Sequence, residues 1–206
     1  MKTLAVLISG GGSNLQALID NIEAGNINAQ IGVVISSRKD AYGLVRAQKH
    51  GIPTYYISKK DYKDMDAFNR VLIKKLEEYN TDFIVLAGYL NILSSDIIKK
   101  YPNRIINVHP SLIPSFCGKG YYGMRVHQSV LDYGVKISGA TVHFVDEGTD
   151  TGPIILQKPV EVYYDDDVES LSKRVLEVEH ELLPKAVSLL VEGKLVVEGR
   201  KVKILE

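Results

Sequence analysis

Three stretches of the sequence hold residue types that do chemistry, at spacings able to gather them. Asn107 and His109 stand two positions apart at the end of the apolar run 104–108, so on a strand both side chains leave from one face. An asparagine amide can donate to a developing oxyanion, and a histidine can deliver a proton or, when cationic, stabilise the same charge. On a purely structural reading the pair would instead satisfy nearby backbone groups. The second stretch, Asp146-Glu147-Gly148-Thr149-Asp150-Thr151-Gly152-Pro153, holds three carboxylates. Calcium is the first ligand such a loop suggests, but the sixth-position glycine and terminal glutamate of an EF-hand loop are missing. One of the carboxylates can then meet His109, favouring the imidazolium, raising its pKa and fixing its orientation. A solvated acidic turn is the plain alternative. The third stretch, Gly10-Gly11-Gly12-Ser13-Asn14, lies between an apolar run and a helical pattern, where backbone N–H groups and the helix dipole can hold a phosphate or carboxylate. A tight turn using glycine for positive φ competes with that reading. Leu15 stands where the dinucleotide fingerprint needs its third glycine, and no Gly-Lys-Ser/Thr follows, so neither nicotinamide nor nucleoside-triphosphate chemistry is expected.

Other reactive side chains read as structural. His127 falls 18 residues after His109 and His143 16 after His127, spacings that fit no zinc-ligand pattern, and His143 on a strand reads as packing. Cys117 is the only cysteine, which excludes an intrachain disulfide and a thiol metal cluster and leaves a packing or lining role. Asp165-Asp166-Asp167 precedes the last helical pattern and is expected to cap it while staying solvated.

The elements that must position these groups follow from periodicity. The run 4–8 is almost continuously apolar and ends in glycines, as a strand buried on both faces does. From Asn14 the apolar positions Leu15, Leu18, Ile19 and Ile22 fall at helical spacing until Gly25. Strands at 31–35, 53–57, 83–87 and 104–108 then alternate with helices at 41–50, 67–79 and 97–101, the last with Ser94-Ser95-Asp96 as its cap. Such alternation predicts an α/β fold with a Rossmann-like, open, mostly parallel sheet and helices on both faces. After His109 the period is lost through residue 122, as in a functional loop. A helix at 126–133, an antiparallel pair at 138–145 and 154–162, a helix at 168–192 broken or bent near Pro184, and a hairpin at 194–205 complete the chain. The whole reads as one domain over 1–206, with a phosphate-binding βα half at 1–100 and a catalytic half at 101–206.

Composition narrows the partners. Twenty-five basic and 25 acidic residues cancel, so no global field draws the chain to nucleic acid or an anionic membrane. The N-terminal apolar run is too short for a signal peptide, and no later run approaches the ~20 residues of a membrane span. A cytoplasmic protein, either monomer or homodimer, is expected.

Taken in order, Ile8-Ser9-Gly10-Gly11-Gly12-Ser13-Asn14-Leu15-Gln16-Ala17, Asn107-Val108-His109-Pro110-Ser111-Leu112 and Val142-His143-Phe144-Val145 with Asp150-Thr151-Gly152-Pro153 resemble the formyltransferase superfamily. The Gly-Ser-Asn-Leu-Gln loop narrows the resemblance to the glycinamide ribonucleotide formyltransferases. The tRNA-directed relatives carry an added C-terminal domain and the hydrolases an added N-terminal one, and 206 residues leave room for neither. The resemblance implies transfer of a formyl group from 10-formyltetrahydrofolate to the amine of glycinamide ribonucleotide, without metal or NAD. It implies Asn107, His109 and Asp150 as catalytic residues, Asp150 keeping His109 protonated. Gly12, Ser13, Asn14 and Glu179 would bind the ribonucleotide. Leu90, Asn91, Ile92, Leu93, Asp146, Glu147 and Asn107 would bind the folate. The chain departs from the family pattern at Asn91, where many relatives have arginine, and in the loop 116–123, which is longer than the commonest form. A formyltransferase for another amine, such as an amino sugar nucleotide, and a non-catalytic folate or phosphate binder are the competing readings.

Overall fold

The computed structural model describes residues 1–206, which divide into two compact units, Met1–Ile106 and Asn107–Glu206. The first unit alternates strand and helix: β1 (Lys2–Ile8), α1 (Ser13–Glu23), β2 (Ala29–Ser36), α2 (Tyr42–Lys49), β3 (Thr54–Tyr56), α3 (Met65–Glu78), β4 (Phe83–Leu86) and α4 (Ser95–Lys100). A short 3₁₀ turn at Lys59–Asp61, which periodicity does not reveal, precedes α3. Pairing of β1 with β2, β1 with β4 and β2 with β3 is parallel throughout. Leu4 to Ile8 of β1 are fully buried, which is why that strand shows no alternation. α3 turns Phe68, Leu72 and Leu76 inward at four-residue spacing, and Asp64 caps it by accepting the Ala67 N–H at 2.7 Å. Ser94 occupies the cap position of α4, but its hydroxyl makes no capping bond, so the expected cap there is positional only.

β5 (Ile105–His109) ends on the histidine itself. The second unit continues with α5 (Met124–Tyr133), β6 (Ile137–Phe144), β7 (Ile154–Glu161), α6 (Val168–Val191) and a separate hairpin of β8 (Leu195–Glu198) and β9 (Lys201–Ile204). β6 and β7 pair antiparallel, and α6 lies against them and α5 with Leu171, Val175, Leu182 and Leu183 buried. α6 runs on through Pro184 without interruption. Seven strands form one mostly parallel sheet in the order β3-β2-β1-β4-β5-β6-β7, the doubly wound α/β arrangement expected from the alternation. No helix is long and apolar enough to cross a membrane.

In the first unit the strand order reverses between β1 and β4, and the crevice outside the carboxyl ends at such a reversal is where open sheets take ligands. The glycine loop follows β1, and the segment 88–93 follows β4. Ser9 ties the two, its hydroxyl oxygen accepting the Leu90 N–H at 2.9 Å.

The acidic run before α6 is only partly solvated. Asp167 forms a reciprocal cap with Ser170, while Asp166 turns inward, its side chain 4% exposed. Two guanidinium N–H groups of Arg174 reach its oxygens at 2.8 and 2.9 Å, and the Arg174 side chain also donates to the Glu161 carbonyl at 2.8 Å.

Candidate active site

β5 sends Asn107 and His109 from the same face at its carboxyl end, as two-residue spacing requires. Asp150 reaches them from the turn between β6 and β7. Its Oδ2 lies 3.6 Å from His109 Nδ1, and its Oδ1 lies 3.6 Å from His143 Nε2. Asn107 Nδ2 faces His143 Nε2 at 3.2 Å and Asp150 Oδ1 at 3.5 Å. Gly118 N–H donates to Asp150 Oδ2 at 2.9 Å. The carboxylate is thus set between two imidazoles, with an amide at its side.

The far nitrogen of each imidazole is fixed by a backbone carbonyl. His109 Nε2 donates to Phe116 O at 2.9 Å, and His143 Nδ1 donates to Phe144 O at 2.8 Å. In its neutral form each ring therefore turns a lone pair toward Asp150, and each can take a proton on that side. Burial pushes His109 below the ordinary imidazole range, outweighing the upward pull of Asp150 and of the Phe116 carbonyl. The expectation that Asp150 keeps His109 protonated is corrected on this point, because desolvation of a nearly enclosed ring wins. Burial also works to neutralise Asp150, but His143, the His109 charge and the Gly118 N–H together hold its carboxyl below the usual range. The resting arrangement is an ionised carboxylate beside a His109 ring that burial favours in its neutral form.

Local backbone is shaped for this purpose. Asp150 and Phe116 both have left-handed φ, 57° and 50°, a conformation costly for residues with a Cβ. Gly152 lies against β6 so closely that an added Cβ would sit 1.8 Å from the Phe144 carbonyl oxygen. Asp146 spends its carboxylate on the turn, accepting from Gly148 N–H at 3.1 Å and Thr151 Oγ1 at 2.6 Å. The strand-to-loop passage after His109 is pinned to β6: Thr141 Oγ1 donates to Ser111 O at 2.6 Å and accepts the Ile113 N–H at 3.1 Å. No group of three or more histidine, cysteine, aspartate or glutamate side chains is arranged to hold a metal ion.

The remaining sequence candidates fall in both units. Gly12, the N-cap of α1, adopts the left-handed conformation that only glycine enters freely (φ 72°, ψ 32°), with Ser13 and Asn14 opening the helix. Of the folate candidates after β4, Leu90 and Ile92 are exposed, Leu93 is buried and Asn91 is half-buried. Glu147 is exposed on the β6–β7 turn. Glu179 is buried on α6.

Sequence reasoning assigned His143 to packing and so missed its contact with Asp150. The residue is as buried as a packing histidine, and only the β6–β7 turn geometry reveals what it faces. His127 of α5 is likewise buried, its Nδ1 without a partner, and burial together with the His109 charge pushes it down to about 4. Cys117 is half-buried, and burial and the Asp150 charge push its thiol up, against a role as thiolate.

Comparison with known proteins identifies the family. The formyl transferase family profile matches residues 2–187. The bovine trifunctional purine biosynthetic protein adenosine-3 is 47% identical over 190 residues, covering 92% of this chain and 18% of that protein. The chloroplastic phosphoribosylglycinamide formyltransferase of Arabidopsis thaliana is 39% identical over 195 residues, covering 94% of this chain and 67% of that one. The crystal structure of glycinamide ribonucleotide transformylase 1 from Symbiobacterium toebii superposes with a TM-score of 0.94 at 44% identity, covering 100% and 95% of the two chains. With that profile running from β1 into α6, the chain belongs to the formyl transferase family.

Proposed function

We propose that the protein transfers the formyl group of 10-formyltetrahydrofolate to the primary amine of glycinamide ribonucleotide, yielding formylglycinamide ribonucleotide and tetrahydrofolate in purine synthesis. The observation that carries this reading is the Asp150 carboxylate flanked by His109 and His143 beside the Asn107 amide. The names of the relatives, among them the Arabidopsis formyltransferase, support the choice of amine.

The amine attacks the formyl carbon, a carbon–nitrogen bond forms, and the formyl oxygen gains negative charge. Donors from Asn107 and a charging His109 offset that charge where burial makes each donor effective. Collapse breaks the bond from the formyl carbon to the folate nitrogen, and the net proton movement is from the attacking amine to that departing nitrogen. Two imidazoles sharing one carboxylate form a chain able to take up and return a single proton. In this reading Gly12, Ser13 and Asn14 hold the ribonucleotide phosphate and Glu179 contacts the same substrate. Leu90 to Leu93, Asp146 and Glu147 receive the folate, the carboxylate of Asp146 being already engaged in its turn. The same reading makes the protein a cytoplasmic monomer or homodimer acting on small molecules without metal or NAD.

The test is release of tetrahydrofolate from 10-formyltetrahydrofolate by purified protein, with and without glycinamide ribonucleotide. Release that requires the ribonucleotide is expected, with turnover falling by about 10²–10⁴-fold in His109→Ala and Asp150→Ala. Release without acceptor would make the protein a hydrolase, and donor binding without release would make it a binding protein. Unchanged turnover in folded His109→Ala would discard the mechanism.

A further inference from the structure

In the first unit the loop that follows β1 is gripped from behind by α2. The Gly10 carbonyl accepts the Gly43 N–H at 3.1 Å, and the next carbonyl, Gly11, accepts Arg46 Nε at 2.9 Å. The only cis peptide bond in the chain is Ile113-Pro114, so both of these peptides are trans. In a trans peptide the C=O and the following N–H point in opposite directions. Tying the Gly10 and Gly11 carbonyls to α2 therefore turns the N–H groups of Gly11 and Gly12 to the side away from α2. Gly12 is left-handed and Ser13 begins a right-handed helix, the alternation that makes successive amides concave toward an anion. The contact has no slack: a Cβ on Gly12 would sit 2.6 Å from Gly43 Cα, and one on Gly43 would sit 2.4 Å from Ile8 Cδ1. Arg46 is itself held, its NH1 donating to Gln16 Oε1 at 3.2 Å and its guanidinium stacked 5.0 Å from the Tyr42 ring centre. Gln16 in turn contacts His50 and Asp20.

We propose that Arg46 is a positioning residue for phosphate recognition, fixing the Gly11–Gly12 peptide so that its amide, with that of Gly11, faces the phosphate of the acceptor. This rests on the reading of Gly12 to Asn14 as the phosphate loop. A guanidinium serves where an ammonium would not, because it can donate from Nε to a carbonyl and from NH1 to an amide oxygen in one rigid plane. Arg46 donates from Nε to Gly11 O and from NH1 to Gln16 Oε1, and it acts through the peptide it orients.

The test compares wild-type protein with Arg46→Ala and Arg46→Lys, measuring KM for glycinamide ribonucleotide, KM for 10-formyltetrahydrofolate, kcat, and inhibition by inorganic phosphate. Arg46→Ala is expected to raise the ribonucleotide KM and the phosphate inhibition constant together by about tenfold, with kcat and the folate KM within about twofold. Arg46→Lys should recover less than half of that loss, since it restores charge but not the two-point grip. With the phosphate-free glycinamide riboside as acceptor, wild type and Arg46→Ala should be equally poor. If wild type uses the ribonucleotide and is inhibited by phosphate while Arg46→Ala matches it, the positioning role is overturned and the phosphate reading stands. A wild-type protein indifferent to the acceptor's phosphate overturns both. Should Arg46→Ala fail to fold, Gln16→Ala, which frees only the NH1 end of the guanidinium, must still raise both phosphate-dependent constants, and failure to do so counts against the role.

Discussion

A carboxylic acid 11% exposed keeps its charge only if its neighbours supply what water would have supplied, and at Asp150 these are His143, His109 and the Gly118 N–H. The relation is mutual but unequal, because His109 suffers more from burial than it gains from Asp150. The consequence is measurable. In an NMR titration His109 should have its midpoint below the ordinary value of about 6.5. In Asp150→Asn it should fall further, since only the upward pull is removed. A midpoint above 6.5 in the wild type, or a rise in the variant, would show that the carboxylate outweighs burial and would restore a resting imidazolium. At this scale the sequence revealed the chemistry of single residues better than their partners. The spacing of Asn107 and His109 follows from strand geometry alone. Asp150 was one of three carboxylates in a loop, singled out by family resemblance rather than by spacing. The Phe116 and Phe144 carbonyls that set the ring tautomers leave no trace in residue type, since every residue carries a carbonyl.

At the scale of elements, α6 shows how a run of like charges can be divided among different tasks. Asp167 caps the helix and Asp166 pairs with Arg174 two turns along, tying the helix start to the end of β7 through the Glu161 carbonyl. The Arg174 guanidinium, with help from Tyr163 N–H and Ser170, holds the Asp166 carboxyl far below the usual carboxylate range. The unfolded chain would bind that proton near pH 3.9, so the stabilisation is complete above about pH 5 and is lost as pH falls toward the folded value. Asp166→Asn should therefore cost about 1–2 kcal/mol at pH 7 in urea unfolding, with the gap to wild type narrowing below about pH 4. A gap that widens in acid would mean the pair does not carry the effect. The elements themselves were almost all legible, because buried parallel strands and amphipathic helices differ in apolar period. The 3₁₀ turn at Lys59–Asp61 was not, being a single turn with no period to read. The continuity of α6 through Pro184 was not either, because its buried stretch Leu182, Leu183, Ala186 and Val187 keeps the helix in place where the local rule favours a break.

For the molecule as a whole, the cancelled formal charge is as informative as any motif. Twenty-five cations against 25 anions leave no long-range field, and several charged groups are already paired at contact distance, among them Lys2 with Asp82 and Arg38 with Asp40. On the proposed function, an anionic acceptor would be recognised at close range, by oriented backbone amides at the start of α1 rather than by attraction from a distance. Fixed dipoles at contact act well inside the ~10 Å screening length of 0.1 M salt and lose little of their effect to added ions. For the ribonucleotide, kcat/KM should accordingly fall by less than about threefold between ~20 and ~200 mM sodium chloride, measured with a chloride salt to avoid competition from phosphate or sulfate. A steep decline over that range would reveal a local positive field gathered from several side chains, and would move the explanation of substrate capture away from the glycine loop and onto the surface lysines. A flat profile combined with sensitivity to inorganic phosphate would instead separate capture from binding, which is the behaviour a short-range cradle in a neutral protein requires.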